Sequence, residues 1–388
     1  MSAKRALSRF RAPDEAGSEE RAWGVVHRAY EQRLAVKRRR SYRRPAAAIA
    51  AGVVLVGAVA LSPAGATVGR LISRALGVQH AAPALFSLPA PGRLLVSGSG
   101  GTWTVASDGS TRRLGRWPQA SWSPHGLFLT AVGEDQLAAV NPRGIPQWTL
   151  ARPHVSDPRW YVPTGYRVAY LAGGELRVVA GDGTGDHILA RRVAQVAPAW
   201  RPGHPYQLAY LAAEGSLVVR DGDTGRTLWM ARPGVAVNEL AWSPGGEHLL
   251  AFSSRRVLIY GAGGRLLSDQ AAPDGSPIVD GALAPDGHTL ALVSGGAGGA
   301  VLIEDLAARH PSAHRVLAGA GLGQVAWSPD GRWLLVSWPA ADQWVFVRVI
   351  GGPRISAVSK IAQQFSAGAS AQFPRLEGWC CSAAGTAG

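Results

Sequence analysis

Four histidines are the first place to look for a reactive or metal-binding centre. His125, His204, His248 and His288 all stand in or beside short Pro/Gly turns that recur along the chain. Three or four of them converging with the right geometry would hold a metal; spread over separate turns, they are ordinary surface side chains. The two cysteines, Cys380 and Cys381, are adjacent and close to the C-terminus. That spacing excludes a C-x-x-C zinc site and leaves a vicinal disulfide, an intermolecular bridge or two inert thiols open. Other chemistries leave no trace. No Ser has Gly at both −2 and +2, as a hydrolase nucleophile elbow needs. No G-x-x-x-x-G-K-[ST] occurs and no G-x-G-x-x-G follows a strand, so nucleotide binding has no support. The glycine-rich stretches 261–264 and 295–299 lie between strands and read as hairpin tips. No residue is therefore assigned a catalytic, cofactor-binding or metal-binding role, no cofactor is expected, and an enzymatic activity is disfavoured.

The histidines lead to the element that places them. Trp327-Ser328-Pro329-Asp330-Gly331 runs into Trp333-Leu334-Leu335-Val336, a turn followed by a short strand. Relatives open at Trp122 (with Pro124), Trp200 (Pro202) and Trp242 (Pro244), and degenerate copies at Trp160 and at Leu283, before Pro285. The onsets 122, 160, 200, 242, 283 and 327 are 38 to 44 residues apart. A period near 40 built from short strands and Gly/Pro/Asp turns predicts an all-β propeller. Pro presets the first central position of such a turn and Gly takes the left-handed one, so the Asp residues beside them are turn formers before they are ligands. The strands from 94 to 365 divide into seven blades, six being the alternative. A blade buries its faces only against its neighbours, so the ring must close. The first unit lacks an opening Trp strand, which predicts closure by both chain ends sharing a blade, with 365–379 covering the seam. The fixed place of Trp122, Trp160, Trp200, Trp242 and Trp327 points to blade packing before sugar stacking. Trp103, Trp117, Trp148, Trp229, Trp338 and Trp344 are less periodic; an exposed patch among them would suit a partner better.

The Trp-Ser-Pro-Asp-Gly repeat resembles that of TolB-type, or WD40-like (PD40), β-propellers. Asp221-Gly222-Asp223-Thr224-Gly225-Arg226-Thr227-Leu228-Trp229 is similar to a blade element of the pyrroloquinoline-quinone propellers, with a weaker echo from Asn141 to Trp148. The resemblance implies a propeller over about 270 residues. Its members serve as partner-binding platforms, enzyme gates and sensors, so it implies no single activity, and one such blade supplies no quinone site.

The part before the propeller has a different composition. Residues 1–44 carry 13 Lys/Arg against 5 Asp/Glu, so they supply +8 of the net +14. The remaining +6 is spread over 344 positions, and no nucleic-acid partner is expected. Within 1–45, positions 19–36 read as an amphipathic helix on Trp23, Val26, His27, Tyr30 and Leu34. The stretch 46–68 has no charge and is long enough to cross a bilayer as a helix. Basic residues before it predict a cytoplasmic N-terminus and an exported propeller, hence a single-pass protein of the plasma membrane. A cleaved signal peptide would need an n-region about 45 residues long, so an uncleaved anchor is preferred. A linker at 69–93 and a C-terminal tail at 366–388 complete the chain. The expected function is a non-enzymatic, membrane-anchored, extracytoplasmic platform for a protein or cell-wall component, with a sensory role open. The rivals are an envelope enzyme, a lyase or quinone-type dehydrogenase working in the channel, and a soluble scaffold.

Overall fold

The Pro-x-Gly turns close hairpins, and the hairpins dictate the strand order. In the computed structural model, which describes residues 87–272, 275–308, 312–352, 354–365 and 372–381, the chain forms seven four-stranded antiparallel sheets. Blade 1 takes β1 (Arg93–Gly98), β2 (Gly101–Val105) and β3 (Thr111–Gly115). Blade 2 is β4 (Gln119–Trp122), β5 (Leu129–Val132), β6 (Gln136–Val140) and β7 (Pro146–Ala151). Blade 3 is β8 (Val155–Trp160), β9 (Arg167–Ala172), β10 (Glu175–Ala180) and β11 (His187–Arg191). Blade 4 is β12 (Ala199–Trp200), β13 (Gln207–Leu211), β14 (Leu217–Asp221) and β15 (Thr227–Ala231). Blade 5 is β16 (Val237–Trp242), β17 (His248–Ser253), β18 (Arg256–Gly261) and β19 (Leu266–Ala271). Blade 6 is β20 (Ile278–Leu283), β21 (Thr289–Ser294), β22 (Ala300–Asp305) and β23 (His314–Ala318). Blade 7 is β24 (Val325–Trp327), β25 (Trp333–Trp338), β26 (Gln343–Arg348) and β27 (Arg354–Ser359), followed by the short helix α1 (Ile361–Gln364). The architecture is the seven-bladed all-β propeller that the repeat spacing implies.

Closure uses both chain ends. The strand β28 (Arg375–Cys380) pairs antiparallel with β1 and gives blade 1 the order β28-β1-β2-β3. The segment expected as a tail thus holds the innermost strand of the first blade. Trp379 pairs with Leu94 just as Trp122 pairs with Leu129, Trp242 with Leu249 and Trp327 with Leu334. Trp379 is therefore the opening Trp that the first unit lacks, and Cys380-Cys381 stand where other turns carry Ser-Pro. Residues 375–380 do not cover the seam; they are part of it. An apolar cluster joins blades 7 and 1 around Leu94, Val96, Trp344, Phe346, Phe365 and Trp379. Phe365, just past α1, is fully buried, 5.2 Å from Trp344 and 6.1 Å from Trp103 between ring centroids.

Burial follows radius. The second strands, β9, β17 and β25, are buried along nearly their whole length, while the outermost β7 and β19 are mostly exposed. Between neighbours the turns interlock. Ser328 is fully buried, and its Oγ accepts the Trp333 amide at 2.9 Å; Ser123 and Ser243 do the same for Phe128 and His248 at 3.0 Å. Gly331 sits at φ +69° in the turn, a conformation side chains resist, and a Cβ there would lie 3.6 Å from Pro285 of the blade before. On the outer side, Trp229 Nε1 donates to the Ala262 carbonyl at 2.8 Å and its ring lies over Gly264, where a Cβ would come within 2.7 Å of the indole. Trp148 makes the same bond to Gly181 at 2.8 Å.

Blades 2 and 3 share a charged pin. Asp186, with 5% of its side chain exposed, accepts from Tyr170 Oη at 2.6 Å, Arg177 Nη2 at 2.6 Å and Arg152 Nη2 at 2.5 Å. Burial alone would raise its pKa, but hydrogen bonds from Arg177, Tyr170 and Arg152 outweigh it and hold the carboxyl below the usual range. Two measurements follow from this packing. Trp327→Ala removes a buried aromatic between blades and lowers stability by about 3–5 kcal/mol in chemical denaturation. Asp186→Ala strands two arginines and costs about 3 kcal/mol; an unchanged midpoint for either variant would refute its packing role.

Candidate functional site

The residues that point into the channel come from one place in the repeat. The first strands of the blades, β28, β4, β8, β12, β16, β20 and β24, lie innermost; β28 meets β4 and β24, β8 meets β4 and β12, β12 meets β16, and β20 meets β24. Three positions before the repeat Trp, or before Leu283 in blade 6, stand Gln119, Asp157, Glu239, Asp280 and, just ahead of β24, Gln324. In blade 1 a bulge between Leu95 and Val96 shifts the register, and the flanking residues of β28 are Arg375 and Glu377. In blade 4, where this position is an Ala, Gln195 from the preceding connector takes part.

Much of this ring ties one blade to the next. Gln119 Nε2 donates to Asp157 Oδ1 at 2.9 Å, and its Oε1 accepts the Asp157 amide at 2.7 Å. Gln195 closes on Asp157 Oδ2 at 3.0 Å and on Ser156 Oγ. The Val325 amide donates to Asp280 Oδ2 at 2.7 Å, and the Leu376 amide to Gln324 Oε1 at 2.8 Å. Three of these bonds satisfy inner-strand amides, those of Asp157, Val325 and Leu376.

The remaining charges are not satisfied in this way. Glu239 has no hydrogen-bond partner among the described residues. Its carboxyl keeps partial access to solvent through the channel but is otherwise ringed by protein. Desolvation, and then the nearby Asp280 charge, push it up to about 8, against the opposing pull of Arg159 and Arg375. Asp280 is pushed up to about 6 by burial, despite the amides of Val325 and Gly281 and the Arg375 charge. Glu377 is also raised, first by burial, with Arg375, Arg159 and a hydrogen bond from Ser97 pulling it back and the Asp157 charge adding to the rise. Its side chain is 3% exposed, Oε1 has no hydrogen-bond partner, and Arg375 Nε stands 3.7 Å away. Groups from blades 1, 3, 5 and 6 thus act on one another across the axis. All lie near the third residue of their strands, toward the mouth formed by the connectors that enter each blade.

The opposite mouth carries the Trp turns. Trp160, Trp200, Trp242 and Trp327 are 5–8% exposed and lie in the ring, and Trp122 is half-buried with Arg93 4.8 Å over its ring. Trp200 Nε1 donates to the Arg159 carbonyl and Trp327 Nε1 to the Ala282 carbonyl, both 2.9 Å away in the preceding blade. Pro124, Pro244 and Pro285 each lie against the turn glycine of the following blade, and Pro329 against Gly92; Pro202 presents its carbonyl to Gly246. Cys380 and Cys381 are joined by a disulfide, and their sulfurs lie 3.8 and 3.2 Å from the Ser123 and Pro124 carbonyls. His125, His248 and His288 are exposed on separate turns and His204 is half-buried. Among the described residues no group of three or more His, Cys, Asp or Glu could hold a metal. One part of this face differs from the rest. In blades 3 and 4 the turns are replaced by longer segments that gather Tyr161, Trp200 and Tyr206, with centroids 5.0 and 5.7 Å from Tyr161. Arg167 lies 4.6 Å over Tyr206, and Val162 and Tyr166 are 42% and 45% exposed.

The segments expected as a basic cytoplasmic helix and a membrane span lie outside the described residues. Among the described residues, no helix is long and apolar enough to cross a membrane.

No family model and no curated protein matches the chain. Solved structures do. A chain of a mitotic checkpoint complex superposes with a TM-score of 0.55 at 16% identity, covering 78% of this chain and 100% of that one. Kluyveromyces lactis Hsv2 gives 0.53 at 13%, covering 69% and 94%. The β-propeller domain of Myceliophteria thermophila Cps50 (Swd1) gives 0.50 at 15%, covering 61% and 84%. At these identities the likeness is one of fold: the chain is a propeller of WD40-like shape.

The raised carboxyls set a pH dependence. Glu239 and Asp280 hold protons in the native state that the unfolded chain has already released, so their contribution is full below the ordinary carboxylate range. It is lost as pH rises through about 6 and then about 8. Glu239→Gln removes the Glu239 part. Its melting temperature should exceed that of the parent at pH 9 by about 2 °C or more, the shift ~1 kcal/mol gives in a domain this large, and the gap should close at pH 5. An equal gap at both pH values would exclude the shift.

Proposed function

We propose that the protein is a non-enzymatic, single-pass membrane protein whose extracytoplasmic, TolB-like propeller is a binding platform for a protein or cell-envelope partner. The observation that carries the platform reading is the aromatic group on the Trp-turn face of blades 3 and 4. Tyr and Arg dominate the centres of protein interfaces because they offer a large, stiff apolar area with a polar tip. Here Tyr161, Tyr206 and Arg167 form a packed base, and Tyr166 and Val162 stand clear of it. A propeller of like shape is part of a mitotic checkpoint complex. The membrane part rests on the uncharged stretch 46–68 behind thirteen basic residues. The bilayer is then its lipid partner, and a signalling role for the basic segment fits the same layout.

A second reading, an envelope enzyme, is favoured by one observation: Glu239 and Asp280 act on each other with Arg375 nearby, and a carboxyl kept protonated near neutral pH can serve as a general acid.

A photo-crosslinking residue at position 166 in intact cells separates the two. The platform reading expects one stoichiometric adduct, lost with Val162→Ser in a variant that melts like the parent, and a full chain that stays with the membrane after an alkaline wash. No adduct from 166, with activity that disappears on Glu239→Gln, would move the function into the channel. Release of the full chain by the wash would remove the anchor.

A further inference from the structure

The Trp turn of blade 1 is assembled from both chain ends and carries the two cysteines of the chain. In the turns at Trp122, Trp242 and Trp327, a Ser caps the strand that follows and a Pro stiffens the bend. After Trp379, Cys380 stands in the Ser position and Cys381 in the Pro position. Arg93, at the start of β1, is the register partner of Cys380. The two sulfurs are bonded to each other, and both residues are half-buried at the Trp-turn mouth. A disulfide stabilises chiefly by restricting the unfolded chain, and that effect shrinks with the loop it closes. Between adjacent residues the loop contains nothing, so this bond adds next to nothing to closure of the ring. Its effect is local. It stiffens the backbone of Cys380 and Cys381 as Pro does in the other turns, and unlike Pro it can be undone.

The surroundings suit its opening. Arg93 reaches over the turn of blade 2, where its Nη2 donates to the Gly126 carbonyl at 2.6 Å. A Cβ on Gly126 would lie 2.8 Å from that Nη2 and 3.1 Å from Cys381 Sγ, so guanidinium and sulfur close on the same point. A cation so placed stabilises a thiolate as it leaves. We propose that Cys380–Cys381 is a thiol–disulfide exchange site for a dithiol reductant of the C-x-x-C type, and that its reduction loosens the contact between blades 1 and 2. One thiolate of the reductant attacks Cys380 Sγ and forms a mixed disulfide, and Cys381 leaves as a thiolate beside Arg93. The reductant's second thiolate then attacks its own bonded sulfur and frees Cys380. The reductant departs as a disulfide, and the cysteines keep the two electrons and take up the two protons that it has lost. Bonded sulfurs lie about 2 Å apart, whereas two thiols need about 3.5 Å or more, so the pair must spread. It spreads against blade 2, where Cys381 Sγ is already 3.2 Å from the Pro124 carbonyl and Cys380 Sγ 3.8 Å from that of Ser123. The Ser123 carbonyl holds its turn by accepting the Gly126 amide at 2.9 Å, and a new S–H donor competes for it. The Arg93 bond to Gly126 and its seat 4.8 Å over Trp122 depend on the same turn.

None of these residues belongs to the aromatic group of blades 3 and 4, so the site does not depend on the platform reading. The test treats the detergent-purified full chain with dithiothreitol and no denaturant. Thiols are counted by the mass that N-ethylmaleimide adds, and loosening is read by amide hydrogen exchange. The expected result is no reactive thiol before treatment and two after it, with the circular dichroism of the folded propeller kept. Peptides covering 88–93 and 123–128 then exchange at least about threefold faster, while peptides of blade 5 do not change. Reoxidation with glutathione disulfide restores the slow exchange. The double variant Cys380→Ser/Cys381→Ser exchanges like the reduced parent with or without dithiothreitol. The parent is compared with itself before and after reduction, so a variant that fails to fold leaves the test intact. Two reactive thiols in the chain purified without reductant, a disulfide that resists dithiothreitol until the propeller unfolds, or unchanged exchange at 88–93 and 123–128 on reduction would overturn the proposal.

Discussion

The structure depends on ring closure. A four-stranded blade has two apolar faces and no other way to cover them than a neighbour on each side, so six blades and an open edge would leave two faces wet. The chain meets this constraint by giving its last strand, β28, to its first sheet, which makes the innermost strand of blade 1 the final element of the propeller. The seam is then sealed by large side chains: Trp344, Phe346, Phe365 and Trp379 fill the space between blades 7 and 1. In the other sheets every strand pairs with a sequence neighbour, while β1 with β28 joins residues from Ser97 and Arg375 to Arg93 and Cys380 across almost the whole propeller. The energy gained by the ring is realised only when that contact forms.

Closure also explains the character of the channel. Once the seven innermost strands face one axis, their inward amides need acceptors, and side chains at a single repeat position supply them. Gln119, Asp280 and Gln324 each accept from the next blade, which makes the polar lining part of the framework. Where that position carries an acid without such an amide, as at Glu239, burial and like charge outweigh the pull of Arg159 and Arg375. Protonation is the least costly response. The lining therefore divides into carboxylates that hold the ring and a carboxyl, Glu239, that takes up a proton.

The architecture was legible because it rests on local chemistry. Pro and Gly at fixed offsets mark the turns, a buried Trp marks the strand before each, and the period then counts the blades. The seventh opening strand was harder to see. Trp379 follows Trp327 by 52 residues, beyond the 38–44 of the others, because α1 and the residues after it intervene. It is followed by Cys380-Cys381 in place of Ser-Pro, so the turn signature is gone while the strand remains. The polar position three residues before Trp122, Trp160, Trp242, Leu283 and Trp327 was present in the sequence at 119, 157, 239, 280 and 324. Its meaning was not, because a Glu in blade 5 and an Arg in blade 1 become neighbours only across an axis that closure creates.

The same reasoning separates the two mouths. On the Trp-turn side the repeat is strongest, and where its grammar holds, Ser, Pro and Gly are consumed by packing against the adjacent turn. Function has room only where the grammar fails, as in blade 3, where Tyr161-Val162-Pro163 follows Trp160 in place of Ser-Pro and leaves Tyr166 and Val162 in solvent. On the connector side the repeat constrains one inward position per blade, and the residue type there varies from Gln to Asp to Glu. A fold that spends its regular residues on closing a ring therefore concentrates its free chemistry at departures from the repeat. In this chain those departures are an aromatic surface at one end of the channel and an excess of negative charge at the other.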